Sequence, residues 1–338
     1  MKRISVDADS QPTATAIPVL SLVLPVFNEE ATIPELYRRL TVVLESMGEP
    51  YEIIFVNDGS VDRSFHFLAE LARQDWQVKV VNFSRNFGHQ IAITAGLDYS
   101  RGQAVVVMDA DLQDPPEVLP LLLQKWREGY DVVYAVRKER RGESVFKRVT
   151  ATLFYHLLKR VARIEIPMNV GDFRLMSRRA VAALSGLRER QRFVRGLASW
   201  IGFQQTAVAF VREVRYAGET KYPLRKMIEF AFDGVASFSF LPLQLATYLG
   251  FSAAVVGFCY LLYAVGLKLF TDRSVTGWAS LMVAVLFIGG VQLITLGIVG
   301  EYVGRIYEEV KQRPLYIVAD TVGFSQEATE LESLPDEQ

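Results

Sequence analysis

The sequence predicts an α/β domain built on a mostly parallel sheet with helices on both faces, joined to a two-helix membrane hairpin. Three observations carry this. From Val19 to Arg137, short and continuously apolar runs alternate with amphipathic stretches, the pattern of strands covered on both faces by crossover helices. Several of those runs stop abruptly at clusters of polar residues, as strands do when they open onto a ligand crevice. Two long charge-free segments follow toward the C-terminal third, each long enough to cross a bilayer.

The first run, Val19–Val26, leads into Phe27-Asn28-Glu29-Glu30. Helical spacing then holds from Thr32 to Met47, with Ile33, Leu36, Leu40, Val43 and Leu44 on one face. Tyr51–Val56 is the second strand and ends at Asn57-Asp58-Gly59-Ser60; Val61 to Gln74 is helical. Val78–Phe83 is the third strand, Gly88 to Tyr99 the next helix, Ala104–Met108 the fourth strand and Tyr130–Val136 the fifth. The fourth strand ends at Asp109-Ala110-Asp111-Leu112-Gln113-Asp114, and Pro115 and Pro116 set up the next helix. Two carboxylates so close repel unless a proton or a cation lies between them. Hard oxygen ligands suit Mg²⁺ or Mn²⁺, which bridges carboxylates to substrate phosphates. Polar tips on three strands at one edge therefore predict a nucleotide-substrate site. No G-x-G-x-x-G follows the first strand and no G-x-x-x-x-G-K-[ST] occurs, which argues against a dinucleotide dehydrogenase and a P-loop NTPase.

The 338 residues carry 37 Lys+Arg against 38 Asp+Glu, a balance unlike that of a nucleic-acid binder. The single cysteine, Cys259, permits no internal disulfide. Residues 1–18 are polar, with no apolar core of the signal-peptide kind, and read as a disordered tail. Leu241–Leu267 and Trp278–Gly300 contain no charged residue. As helices they span ~40 and ~35 Å, against ~30 Å of hydrocarbon. Lys221, Arg225 and Lys226 precede the pair and Arg305, Lys311 and Arg313 follow it, while the connector holds only Lys268 and Arg273. That bias places both termini and the large domain in the cytoplasm, on the inner face of a multi-pass cell-membrane protein. Leu224–Leu243 mixes basic and aromatic residues and suits an amphipathic helix in the interface. Gly300 and Gly304 form a small-xxx-small pair that suits homo-oligomerisation through the hairpin. The expected organisation is thus a tail over 1–18, a cytoplasmic domain over 19–223, an interfacial helix over 224–240, two spans within 241–303 and a cytoplasmic tail over 304–338.

Three segments together carry a resemblance. Leu22-Val23-Leu24-Pro25-Val26-Phe27-Asn28-Glu29-Glu30, Val56-Asn57-Asp58-Gly59-Ser60-Val61-Asp62 and Asp109-Ala110-Asp111-Leu112-Gln113-Asp114-Pro115-Pro116-Glu117 look like the inverting nucleotide-sugar glycosyltransferases of family 2. More narrowly, the chain resembles the polyprenyl-phosphate branch, which includes dolichol-phosphate mannose synthases and bactoprenol glucosyltransferases. Gly171-Asp172-Phe173-Arg174-Leu175, Gly218-Glu219-Thr220-Lys221-Tyr222 and the terminal hairpin favour the bactoprenol side. The resemblance implies a GT-A-type fold and transfer of a sugar from a nucleoside diphosphate to a membrane polyprenyl phosphate, with inversion. UDP-glucose is the favoured donor and undecaprenyl phosphate the favoured acceptor; GDP-mannose is the alternative donor. A membrane protein whose nucleotide-binding domain only senses or recruits is the alternative class.

The resemblance also implies roles. Asp58 contacts the nucleobase with the backbone near Pro25, although an Asp-Gly turn explains the same residue. Glu29 contacts the ribose or shapes its loop. Asp111 ligates the metal and serves catalysis, with Asp109 and Gln113 beside it. Asp114 stands where dolichol-phosphate mannose synthases often carry His, which leaves its role open, a helix cap being adequate. Lys221 offsets charge on the leaving diphosphate. Arg137 and Arg148, helped by Thr152, clamp the acceptor phosphate, for which arginine is suited. Asp172 is either the catalytic base or a group that orients the sugar or an arginine such as Arg174. A phosphate monoester needs little deprotonation at neutral pH, since its second pKa is about 6.

Overall fold

The structure, a computed structural model, describes residues 17–137, 170–190, 192–211, 241–270 and 277–324. Its strands are β1 (Leu20–Val26), β2 (Tyr51–Asn57), β3 (Val78–Phe83), β4 (Ala104–Val107), β5 (Val132–Arg137), β6 (Val170–Ser177), β7 (Gln205–Phe210) and β8 (Val318–Val322). The helices are α1 (Ile33–Met47), α2 (Ser64–Gln74), α3 (His89–Tyr99), α4 (Leu119–Arg127), α5 (Arg178–Ser185), α6 (Val194–Trp200), α7 (Leu241–Phe270) and α8 (Trp278–Val310). The five strands and three helices read from the apolar runs are all present, with no end shifted by more than three residues.

All eight strands join one sheet in the order β7-β5-β6-β4-β1-β2-β3-β8. The centre is parallel: β1 lies between β2 and β4, and β3 continues beyond β2. β6 runs antiparallel between β4 and β5, and β8 runs antiparallel along β3. The sheet is thus mixed, because β6 and β8 enter it from the opposite direction.

Side chains alternate across the sheet as the pleat requires. Leu22, Leu24, Ile53 and Phe55 pack with Leu36, Leu40, Leu68 and Leu122 of α1, α2 and α4 on one face. Val23, Val105 and Val107 pack with Ile93, Leu97, Leu184 and Leu197 of α3, α5 and α6 on the other. Each such side chain contributes roughly 1.5–3 kcal/mol by burial. α3 lies so close to β1 that a Cβ on Gly96 would come within 2.1 Å of Val23 Cγ1.

The helices α7 and α8 pack against each other and are long and apolar enough to cross a membrane. At about 1.5 Å per residue they extend ~45 and ~50 Å. Phe251, Phe258, Leu269, Leu293 and Leu296 stand exposed along them, unlike side chains of a core helix in a soluble protein. α8 outruns the charge-free stretch by ten residues, to Val310. This extension carries an Arg305–Glu301 pair one turn apart, at 3.0 Å.

The segment after α8 does not trail away. β8 closes the sheet beside β3, Tyr316 stacks on Phe83 with centroids 5.2 Å apart, and Phe324 meets Tyr99 edge-on. Ser84 donates its N–H to the Ile317 carbonyl. A second tie runs from the end of α8, where Glu309 accepts the Arg190 N–H at 2.7 Å. Of the expected interfacial helix, residues up to 240 lie outside the described residues, and Leu241–Leu243 open α7.

Candidate active site

The carboxyl ends of β1, β2 and β4 share one edge, and their polar tips meet there. After β1 the chain turns at Asn28, whose φ of 56° is left-handed, a conformation asparagine tolerates better than most residues. Its side chain accepts the Val61 N–H, and its own N–H reaches Ser60 Oγ. This pair binds the first tip to the second. Pro25 sits within buried β1, opposite Val56. Glu29 accepts the Thr32 hydroxyl at 2.5 Å and donates its N–H to Ser64, so it shapes the entrance to α1.

Asp58 follows β2 and is buried. Its carboxylate accepts the Phe87 N–H at 2.7 Å and the Gly88 N–H at 3.0 Å. Asn86 returns a bond to the Asp58 carbonyl. The residue therefore holds the loop 84–88 that delivers α3. Burial pushes its carboxyl above the usual range, and these two N–H bonds only partly offset it.

Asp109 and Asp111 follow β4. Leu112 between Asp111 and Gln113 has φ 60°, a strained conformation for so bulky a residue. This turn lets Gln113 donate its N–H to Asp111 Oδ1 at 3.1 Å. Asp111 is buried and Gln113 half-buried.

Asp172 comes from β6. Because β6 runs antiparallel to β4, with Arg174 opposite Val107, its first residues lie beside the end of β4. That direction brings Asp172 to Asp109 across a long sequence separation. His89, first residue of α3, stands between them: its Nε2 is 3.2 Å from Asp172 Oδ2 and 3.5 Å from Asp109 Oδ1. Arg195 of α6 grips Asp172 by both oxygens at 2.9 Å. Gln90 donates to the same carboxylate at 3.3 Å. Burial would raise Asp172, but the Arg195 charge and the hydrogen bonds from His89 and Arg195 hold it well below the usual carboxylate range. Burial raises Asp109, and the charges of Asp172 and Asp111 add to this against His89. Partial desolvation works to lower His89, whose side chain is 46% exposed, yet the Asp172 bond and both carboxylate charges leave it above its ordinary value.

The donor set suits a divalent cation. One ligand atom each from His89, Asp109 and Asp172 lie within 4.8 Å of one another. Asp109 Oδ1 is buried and makes no hydrogen bond among the described residues. A cation there relieves the mutual repulsion of the acids. The resemblance named Asp111 and Gln113 as ligands beside Asp109; the structure adds His89 and Asp172 to that neighbourhood.

Arg137 ends β5 on the same edge. Its guanidinium is 3.9 Å from Asp114, and a Cβ on Gly171 would lie 2.7 Å from its Nη2, so glycine makes the room for it. Arg137 Nε is buried with no hydrogen bond among the described residues. Arg148, Thr152 and Lys221 lie outside the described residues. Sequence reasoning missed His89, Gln90 and Arg195. One signal was available: His89 is one of three histidines in the chain and opens the helix that follows a strand. Nothing local marked Arg195.

Residues 21–185 match the family described as Glycosyl transferase family 2, and residues 241–306 match the GtrB C-terminal hairpin. The uncharacterized glycosyltransferase YkcC of Bacillus subtilis (strain 168) is 54% identical over 304 residues, 90% of this chain and 94% of that protein. The bactoprenol glucosyl transferase of Shigella phage SfII is 45% identical over 299 residues, 88% of this chain and 97% of that one. Among solved structures, glucosyl-3-phosphoglycerate synthase from Mycobacterium tuberculosis, in complex with Mn²⁺, UDP-glucose and phosphoglyceric acid, is 23% identical with a TM-score of 0.45. It covers 65% of this chain and 78% of that one.

Proposed function

The chain belongs to glycosyl transferase family 2, and on that premise we propose that it moves glucose from UDP-glucose to the phosphate of a membrane polyprenol. One observation carries the reading. Asp109, Asp172 and His89 converge at the end of β4, with Asp111 two residues on from Asp109, in a chain that matches a bactoprenol glucosyl transferase over nearly its whole length.

The nucleoside lies toward the β1 and β2 tips, near Pro25, Glu29 and Asp58, and the diphosphate toward Asp109 and Asp111. An acceptor phosphate oxygen attacks the anomeric carbon from the face opposite the diphosphate. The bond to the diphosphate oxygen breaks, UDP leaves, and the sugar inverts to a β-linked lipid phosphate. Arg137, with Arg148 and Thr152, holds the acceptor phosphate by charge-assisted bonds, and Lys221 offsets charge on the leaving group. Asp109, with Asp111 and Gln113 or with His89 and Asp172, would hold Mg²⁺ or Mn²⁺, which would supply further charge stabilisation to the leaving group.

In this reading α7 and α8 span the cell membrane as an antiparallel hairpin. Both termini lie in the cytoplasm, as the basic residues Arg305, Lys311 and Arg313 favour. The active edge then faces lipid phosphates at headgroup level, with residues 224–240 along the interface, and copies associate through the Gly300/Gly304 stripe. The test is transfer by purified full-length protein from radiolabelled UDP-glucose or GDP-mannose to undecaprenyl phosphate. Label entering lipid from UDP-glucose as a β-linked product, and ceasing in EDTA, supports the proposal. Label from GDP-mannose alone, an α-linked product, or full activity in excess EDTA each overturn part of it.

A further inference from the structure

Arg195 and Gln90 have no part in the reaction as drawn above, yet both converge on Asp172. The Arg195 guanidinium meets the carboxylate fork to fork, with Nε on Oδ1 and Nη2 on Oδ2, both at 2.9 Å. Gln90 adds a bond to Oδ2, and its Oε1 accepts the Val194 N–H at 3.0 Å, which ties the first turn of α3 to the first turn of α6. Arg174 closes the back of the cluster. It is buried, bonded to the Gly171 carbonyl at 2.9 Å, and its Nη2 stands 3.6 Å from Asp172 Oδ1.

We infer that Arg195 is the positioning residue of this site: it locks Asp172 as a fixed anion that faces His89 and Asp109, and it acts on the transfer only through Asp172. A carboxylate clasped by both oxygens has one orientation. Asp172 then serves as a fixed negative acceptor for His89 or a substrate hydroxyl, while the acceptor phosphate enters already ionised. A bidentate pair of this kind is geometrically specific, and displacement of a positioned group by about 1 Å can cost on the order of a hundredfold in rate. The inference rests on the transferase reading and deepens it.

The test uses full-length Arg195→Ala, Arg195→Lys, Asp172→Asn and the double variant Arg195→Ala/Asp172→Asn. Arg195→Ala should lower kcat about a hundredfold with KM for both substrates within about threefold, and Arg195→Lys, with one donor head, about tenfold. Guanidinium added below denaturing concentrations should restore part of the Arg195→Ala loss and none of the Asp172→Asn loss. The double variant should be no slower than the slower single variant. Losses that multiply, or a raised KM with kcat intact, overturn the inference and make Arg195 a direct substrate contact. If Arg195→Ala does not fold, Arg195→Lys carries the kinetic arm. Thermal unfolding supplies a readout without turnover: the two single substitutions should be non-additive in Tm. An inactive wild type with that coupling present overturns the transferase reading and supports the pair, whereas an active wild type without it overturns the pair.

Discussion

Asp58→Ala tests whether the β2 tip serves the donor directly or through the loop it holds. The wild-type carboxylate is 3% exposed and satisfies the N–H groups of Phe87 and Gly88. Removing it leaves two donors with no acceptor. Each unsatisfied buried donor costs about 1–3 kcal/mol, so the sum is roughly 2–6 kcal/mol. Phe87 and Gly88 are only half-buried, so water replaces part of the loss, and about 2–4 kcal/mol is the expected destabilisation. Asp58→Asn retains one acceptor and should lose about half as much. The loop leads directly into His89, so kcat should fall along with stability. The measurements are thermal unfolding of the full-length protein in detergent, and donor KM and kcat on the same preparation. An unchanged unfolding midpoint with a raised donor KM alone would refute the loop-anchoring argument and leave Asp58 as a contact to the nucleobase.

Three further outcomes are expected. Arg137→Ala should weaken acceptor binding tenfold to a hundredfold, from loss of about 1.5–3 kcal/mol, with donor binding unchanged; titration with each substrate separately checks this. Gly96→Ala should destabilise by about 1–3 kcal/mol through overpacking against Val23, and a companion Val23→Ala should recover part of it, as read by chemical denaturation. His89 has a raised pKa in the fold, so its contribution to stability is complete below about pH 6.5 and is lost as pH rises through the raised value. His89→Gln should flatten that portion of the Tm–pH curve in metal-free buffer, and an identical slope in the variant would show that the imidazole is not its source.

The parts of the fold legible in sequence are those where one physical rule acts alone. β1, β2 and β4 are buried on both faces, so Leu22-Val23-Leu24 and Val105-Val106-Val107 read as unbroken apolar runs that end at polar tips. β6 hides because it buries Asp172 and Arg174 within a strand that is buried throughout. Two charges that satisfy each other inside the fold look like surface residues in a sequence. β8 hides for the opposite reason, since it is a short edge strand with Asp320 at its middle. Asp109, Asp111 and Asp172 were legible as acids, but their convergence was not. His89 and Asp172 lie 83 residues apart and meet only because β6 runs against β4. Arg195 lies only 23 residues beyond Asp172, but on a short helix with no local signature.

The return of β8 to the sheet has a consequence for assembly. In the order of synthesis, β1 to β7 emerge first, then the two long apolar helices, and only then the eighth strand. The sheet therefore cannot complete its edge until both long helices have left the ribosome, and β3 stays open until then. Exposed strand edges invite pairing with other chains. Tyr316, Val318 and Phe324 also complete the apolar cluster beside Ile54, Val56 and Phe83, so this part of the core closes only after both long helices have emerged. Closure of the sheet is in this way tied to completion of the two long apolar helices: a chain that stalls before them leaves β3 open, and one that completes them seals it.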